Sequence, residues 1–289
     1  MSLQTPLIDA ATLERLRGSQ DVVVVDVRHD LTRPEAGREA YAAGHIPGAF
    51  FLHLDHDLAG PQRTPDGRFL GRHPLPDRAR FAARLGALGV GRDTLLVAYD
   101  GEDGMYASRL WWLALWLGHA QAAVLDGGLR AWQAAGLPVA RDVPRATSRT
   151  LEPGTPLVAT IDAAEIEEAL GTSRLRVIDA RAAERYRGEV EPLDAKAGHI
   201  PGAVNRPFKA NVEGNGRFKS ASALREELHP LAAGVPPEAL VSQCGSGVTA
   251  CHNILAMAVA GLALPRLYAG SWSEWSSSPG RPVVRGAQP

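Results

Sequence analysis

The sequence predicts an α/β protein of two tandem domains, each a parallel sheet with helices on both faces. Three observations predict it. The chain is written twice, its strand-like runs lack the alternation of a half-exposed sheet, and helix-period segments lie between those runs. Val22-Val23-Val24-Val25-Asp26-Val27-Arg28 is echoed by Arg176-Val177-Ile178-Asp179-Ala180-Arg181. Gly44-His45-Ile46-Pro47-Gly48-Ala49 recurs as Gly198-His199-Ile200-Pro201-Gly202-Ala203. Leu95–Asp100 matches Ala239–Cys244, and Gly127–Trp132 matches Gly270–Trp275. The spacing between copies is nearly constant except for one step between the histidine motif and the next strand. That step marks a longer loop in the first copy, around Asp57–Pro76. A repeat of this length is a whole domain rather than a solenoid unit.

Taken in order, Val22–Val25 and Leu95–Ala98 are short aliphatic runs, as expected of strands buried on both faces. Helices are expected over Asp77–Leu88, Ser108–Leu117 and Leu129–Ala135 in the first copy. In the second they are expected over Ala163–Leu170 and Thr249–Leu262. Gly86, Gly89, Gly118, Gly136 and Gly261 stand where helices stop. Strands alternating with helices imply parallel pairing. The stretch from Ala140 to Pro156 combines proline, glycine and threonine with no apolar period, the composition of a linker. The expected division is a first domain over 5–138, a linker over 139–156 and a second domain over 157–286.

Composition narrows the function. The chain has 289 residues, 45% hydrophobic and 22% charged, with Lys+Arg 31 against Asp+Glu 32. That balance supplies no field for nucleic acid or an anionic membrane. The longest apolar stretch, Leu110–Leu117, is too short to span a bilayer. Met1-Ser2-Leu3-Gln4-Thr5-Pro6 lacks the basic start and apolar run of a secretory signal, so a cytoplasmic location is expected. The only two cysteines, Cys244 and Cys251, make neither a disulfide scaffold nor a zinc site.

Cys244 is the candidate nucleophile. It follows a strand directly and precedes a helix that begins near Val248 or Thr249. Gly245 and Gly247 let the backbone curl so that successive N–H groups point inward, and the helix N-terminus adds to the effect. A thiolate, or the persulfide made from it, is held by such amides. Cys251 instead belongs to the stripe Cys251, Ile254, Leu255, Ala258, Val259, Leu262, whose spacing marks a buried helix face. In the first copy Asp100 stands where Cys244 stands in the second, so that copy has no sulfur nucleophile.

The paired GHIPGA motifs, the loop Cys244-Gly245-Ser246-Gly247-Val248-Thr249 and the ending Tyr268–Trp275 resemble two-domain rhodanese-superfamily sulfurtransferases over nearly the full chain. The loop is similar to that of the mercaptopyruvate branch. Thiosulfate enzymes typically carry two basic residues where Gly245 and Ser246 stand. The resemblance implies an inactive first domain, a catalytic second domain and a site where they meet. It implies Cys244, Ser246 and His45 as catalytic residues, in a serine-histidine-acid relay with Glu35 near the expected acid. It implies substrate binding by Arg185 and by the loop residues Gly245, Gly247, Val248 and Thr249, a guanidinium being suited to a carboxylate or sulfonate. A second arginine, usual about seven residues before the GHIPG histidine, is missing; Pro192 and Leu193 occupy that region. Lys196 and Arg206 are the cations that would replace it.

His45 also has a fold reading, since His199 repeats it, as Asp179 repeats Asp26. Trp111, Trp112 and Trp116 are expected at a core or domain interface, and Trp272 and Trp275 either beside the active cleft or in the core. The cluster His53-Leu54-Asp55-His56-Asp57 is read as a solvated loop rather than a metal site.

The expected activity is transfer of sulfur from 3-mercaptopyruvate, or alternatively thiosulfate, to cyanide or a thiol such as thioredoxin, through a Cys244 persulfide. Neither metal nor organic cofactor is expected, nor a nucleic-acid or membrane partner. A cysteine phosphatase needs an arginine at the sixth position after the cysteine, where Ala250 stands. A non-enzymatic sulfur carrier or binding module would not need the intact loop together with Arg185.

Overall fold

In a computed structural model, which describes residues 5–288, the chain forms two fully parallel sheets. The first contains β1 (Leu7–Ile8), β2 (Val22–Asp26), β3 (Phe50–Phe51), β4 (Leu95–Tyr99) and β5 (Ala122–Leu125), in the order β1-β5-β4-β2-β3. The second contains β6 (Arg176–Asp179), β7 (Val204–Asn205), β8 (Leu240–Gln243) and β9 (Arg266–Leu267), in the order β7-β6-β8-β9. The central strands of both are buried along nearly their whole length, which is why they read as aliphatic runs. Their registers match across the repeat. Asp26 lies opposite Tyr99, and Asp179 opposite Gln243.

The chain packs into two compact units, and neither is continuous in sequence. One takes the chain up to Gly60, Pro76–Leu157 and Val212–Phe218; the other takes Pro61–Leu75, Val158–Asn211 and everything from Lys219. The loop unique to the first copy therefore supplies Pro61–Leu75 to the second unit. The first unit's core joins Leu13, Val24, Val97, Leu125 and Trp132, and the second unit's joins Ile166, Val177, Ile200, Val241 and Trp272.

The expected helices form at Arg78–Ala87, Ala107–Trp116, Gly128–Ala134, Ala163–Ala169 and Thr249–Val259. Asp77 and Asp162 start two of them by accepting from the amides of Arg80 and Glu165, at 2.8 and 2.9 Å. The Thr249 helix is more deeply set than its stripe implied, with every residue from Ala250 to Met257 buried. The helix Ala221–Ala232 escaped the sequence pattern because Pro230 interrupts it near its end. Trp111 and Trp112 are buried in their helix, and Trp272 and Trp275 are wholly buried in the second unit. No helix among the described residues is long and apolar enough to cross a membrane. The Met1–Gln4 start on which the signal reading partly rests lies outside the described residues.

Two features are built identically in both copies. Arg28 forks onto Asp26, with contacts from 2.6 to 3.1 Å, and reaches the Gly44 carbonyl at 2.7 Å. Arg181 does the same to Asp179 and Gly198. Each motif histidine stacks on a tyrosine four or thirteen residues before it, His45 on Tyr41 at 3.9 Å and His199 on Tyr186 at 3.8 Å. Both nitrogens of each ring face backbone carbonyls: Tyr41 and Asp142 for His45, Tyr186 and Gln288 for His199. These histidines fasten the following tail, His45 pairing with Ala140 and His199 with Val284 in short antiparallel bridges.

Candidate active site

The second unit brings the cysteine loop, the Arg185 helix and the Pro61–Leu75 segment together. β8 ends at Gln243 and the helix begins at Thr249, so Cys244–Val248 form a tight turn between them. Cys244 is buried, and the Gly247 amide donates to its Sγ at 3.2 Å. The Cys244 amide donates to Ser271 Oγ at 3.1 Å, while its carbonyl accepts from Trp272 N at 3.0 Å. Ser273 N likewise donates to the Gly245 carbonyl at 2.9 Å. The loop is thus pinned from behind by Ser271–Ser273. Ser271 is the only non-glycine residue with positive φ among those described, at 53°, a costly conformation maintained by these bonds.

Of the two loop glycines, Gly247 is required by the backbone, and Gly245 leaves space that arginine side chains occupy. At Gly247 (φ +77°) a Cβ would lie 2.5 Å from the Ala269 carbonyl. At Gly245 a Cβ would lie 2.9 Å from Arg72 Nη2 and 3.4 Å from Arg185 Nη1. Gly245 therefore leaves room for two guanidinium groups over the loop.

Ser246 is buried, and its hydroxyl meets His73 Nδ1 at 2.8 Å. The expected pairing with His45 is corrected here. Both nitrogens of His45 face carbonyls in its own unit, and the imidazole beside Ser246 is His73. Glu35 is exposed and paired with Arg38 at 3.2 Å. Val248 and Thr249 form the start of the helix behind the loop, whose positive end favours negative charge.

Arg185 donates through Nη2 to Glu191 at 2.7 Å and to Asp194 at 3.0 Å. Arg72 donates through Nη1 to the other oxygen of Asp194. Glu191 also accepts from the amides of Leu193 and Asp194, both at 3.1 Å, shaping the turn that carries Asp194. Burial raises the Asp194 carboxyl above its ordinary range, against the pull of Arg72 and Arg185. Neither expected replacement for the missing arginine takes part. Lys196 is tied to the Ser278 carbonyl at 2.8 Å, and Arg206 to Asn211 and Glu227. Arg187 pairs with the exposed Glu189.

His73, Arg72, Glu191 and Asp194 were not found from sequence. The step in the repeat offset marked the loop that carries Arg72 and His73, but nothing in the sequence singled out these residues within it.

Two groups of side chains have metal-like spacing, His29, His53 and Asp55, and Glu35, His53 and His56. Both depend on His53. Its Nδ1 accepts the Asp55 amide at 3.1 Å and its Nε2 donates to the Pro34 carbonyl at 3.0 Å. Both ring nitrogens of His53 are thus engaged by the protein's own backbone.

A rhodanese-like domain profile matches residues 9–135 and 162–278. The chain is 44% identical over 281 residues to a probable 3-mercaptopyruvate sulfurtransferase of Pseudomonas aeruginosa, covering 97% of this chain and 98% of that one. It is 39% identical over 294 residues to a putative thiosulfate sulfurtransferase, SseB, of Mycobacterium tuberculosis, covering 97% of each. Among solved structures, the 3-mercaptopyruvate sulfurtransferase SseA of Escherichia coli superposes with a TM-score of 0.78 at 29% identity, covering 93% of this chain and 100% of that one.

Proposed function

The chain belongs to the rhodanese family and is a sulfurtransferase, and on that premise we propose that it takes sulfur from 3-mercaptopyruvate through a persulfide on Cys244. The observation that carries this reading is a nucleophile and a proton relay side by side: Cys244 Sγ on the Gly247 amide, and Ser246 on His73 at 2.8 Å. The Cys244 thiolate attacks the donor sulfur, forming the S–S bond as the donor's carbon–sulfur bond breaks. The electron pair left on that carbon is delocalised into the adjacent carbonyl as an enolate. The donor's thiol proton, carried by Ser246 and His73, reaches the carbon and releases pyruvate. The persulfide anion left on Cys244 remains within reach of the Gly247 amide and the positive end of the following helix. An acceptor thiolate, such as that of a thioredoxin, or cyanide then attacks the outer sulfur and returns the Cys244 thiolate.

The Ser246–His73 pair favours the mercaptopyruvate reading, because that donor's leaving carbon needs a proton. Thiosulfate leaves as sulfite and needs none. The relative named for thiosulfate keeps the second donor in view, with the same persulfide.

Mass spectrometry after exposure to 3-mercaptopyruvate is expected to show one added sulfur on the Cys244 peptide. Cys244→Ser is expected to show none and to lose turnover. Undiminished transfer by that variant would sink the persulfide mechanism. Turnover on thiosulfate well above that on mercaptopyruvate would overturn the donor assignment.

A further inference from the structure

We propose that the second unit carries a binding site for a phosphate dianion, in a cleft between the Arg63–Phe69 hairpin and the helix Ser271–Ser277. The cleft has a volume of about 490 Å³, with Arg63, Arg68 and Phe69 on one wall and Glu274, Ser277 and Arg281 on the other. That is room for a small organic ligand. None of the cysteine-loop residues lines it, nor does Arg72 or Arg185. Three guanidinium groups meet there, and each retains donors. Arg63 lies over the Phe69 ring at 5.4 Å and uses Nη1 on the Gly67 carbonyl at 2.8 Å. Arg281 lies over the Trp275 ring at 5.4 Å. Its Nε is buried with no hydrogen-bond partner, the contact with Glu167 being 3.6 Å long. Arg68 is exposed, and its guanidinium forms no ion pair among the described residues.

The single carboxylate in the cleft does not satisfy them. Glu274 folds back along its own helix, one oxygen lying 1.7 Å from the point where a Cβ on Gly270 would be. Only a glycine there permits that posture. Arg281 Nη1 stays 3.9 Å from the other oxygen, beyond hydrogen-bonding reach. Against three positive charges stand this carboxylate and the negative end of the helix, equivalent to roughly half a charge. The cleft therefore keeps a positive excess, although the whole chain carries a formal charge of −1. A phosphate group fits it: near neutral pH it approaches a dianion, and its oxygens accept in pairs from guanidinium forks. The same two walls lead to the chemistry. Ser271 and the amides of Trp272 and Ser273, in the same helix, pin the Cys244 loop, and the hairpin runs on into Arg72 and His73. A bound phosphate ties together the two elements that flank the thiol.

Inorganic phosphate and glycerol 3-phosphate are the probes, titrated calorimetrically into the full-length protein. Both are expected to bind. Arg68→Gln and Arg281→Gln should each weaken binding by roughly 10-fold, the loss of charge-assisted hydrogen bonds to an oxyanion. Arg185→Gln, beside the cysteine loop, should leave it unchanged, as should Arg80→Gln on the surface of the first unit. Either probe should also slow trypsin cleavage after Arg63 and Arg68 in the wild type and not in Arg281→Gln. Tighter binding of glycerol 3-phosphate supports the site and assigns it to a phosphate monoester; equal binding supports it and assigns it to the free ion. No binding of either probe overturns the proposal. So does undiminished binding in Arg68→Gln, or a loss confined to Arg185→Gln, which would place phosphate at the cysteine loop instead. If Arg281→Gln does not fold, Arg68→Gln decides the matter alone, because Arg68 has no ion pair to lose.

Discussion

The loops after β4 and β8 start from matched strands and end in matched helices, yet one encloses a carboxylate and the other a thiol. Asp100 accepts from the amides of Glu102, Gly104, Tyr106 and Ala107, at 2.8 to 3.3 Å. The first copy has therefore filled its own amide-lined hollow with a carboxyl group that belongs to the chain and cannot leave. In the second copy the hollow contains Cys244, which the Gly247 amide reaches at 3.2 Å. What the two loops have in common is backbone amides turned toward the residue that follows the strand. What separates them is the group those amides meet, a carboxyl in one and a thiol in the other. The scaffolding around them did not diverge: the Asp–Arg forks, the stacked histidines and the Trp132 and Trp275 bonds to Pro138 and Pro282 carbonyls are repeated.

The severest way to break the comparison is to exchange the residues. Cys244→Asp is expected to lower sulfur transfer by at least about 10⁴-fold, as removal of a nucleophile does, while circular dichroism stays native. Asp100→Cys should gain no activity, because Glu102 stands where Ser246 stands in the second copy, and the arginine at that loop, Arg130, is paired with it at 2.8 Å. Transfer activity in Asp100→Cys would show that the hollow alone suffices.

Smaller effects sharpen it. Ser246→Ala and His73→Asn are each expected to reduce kcat on 3-mercaptopyruvate by about 10²-fold, the lower end of what acid–base catalysis supplies. The double variant should be little worse than either single one, since the pair works as a unit. Steady-state kinetics on both donors tests this, and thiosulfate turnover should fall less.

Burial, and then Asp103, raise the Asp100 carboxyl from 3.8 to about 6. Native protein thus holds a proton there that unfolded protein has released. Its contribution to stability is greatest below about pH 4 and is lost as pH rises through 6, by on the order of 2–3 kcal/mol. Urea unfolding between pH 4 and 7 should show that slope in the wild type and a flatter profile in Asp100→Asn. An unchanged slope would place the titration elsewhere.

The gentlest test concerns the twin histidines. His45→Gln and His199→Gln should each destabilise by about 1–2 kcal/mol through lost hydrogen bonds. His45→Gln should leave kcat near wild type, in contrast to His73→Asn. A large fall in kcat would return His45 to the relay.

Much of this was legible because duplication leaves a control in the sequence. Paired runs such as Val22–Val25 and Arg176–Ile178 revealed the sheets, and the pairing of Asp100 with Cys244 singled out Cys244 as the candidate nucleophile. The same control warned that His45 has a counterpart. It was silent for His73 and Arg72, which sit in the loop that has none. Their roles depend on a segment distant in sequence packing beside Cys244, and no period or motif records such a contact. Helix Ala221–Ala232 was obscured by a local cause, Pro230 in its last turn.

The assignment of Pro61–Leu75 to the second unit, and of Val212–Phe218 to the first, has an evolutionary consequence. Each half of the gene encodes a segment of the unit that the other half mainly builds. A deletion that discarded the first copy would therefore also discard His73, the imidazole bonded to Ser246.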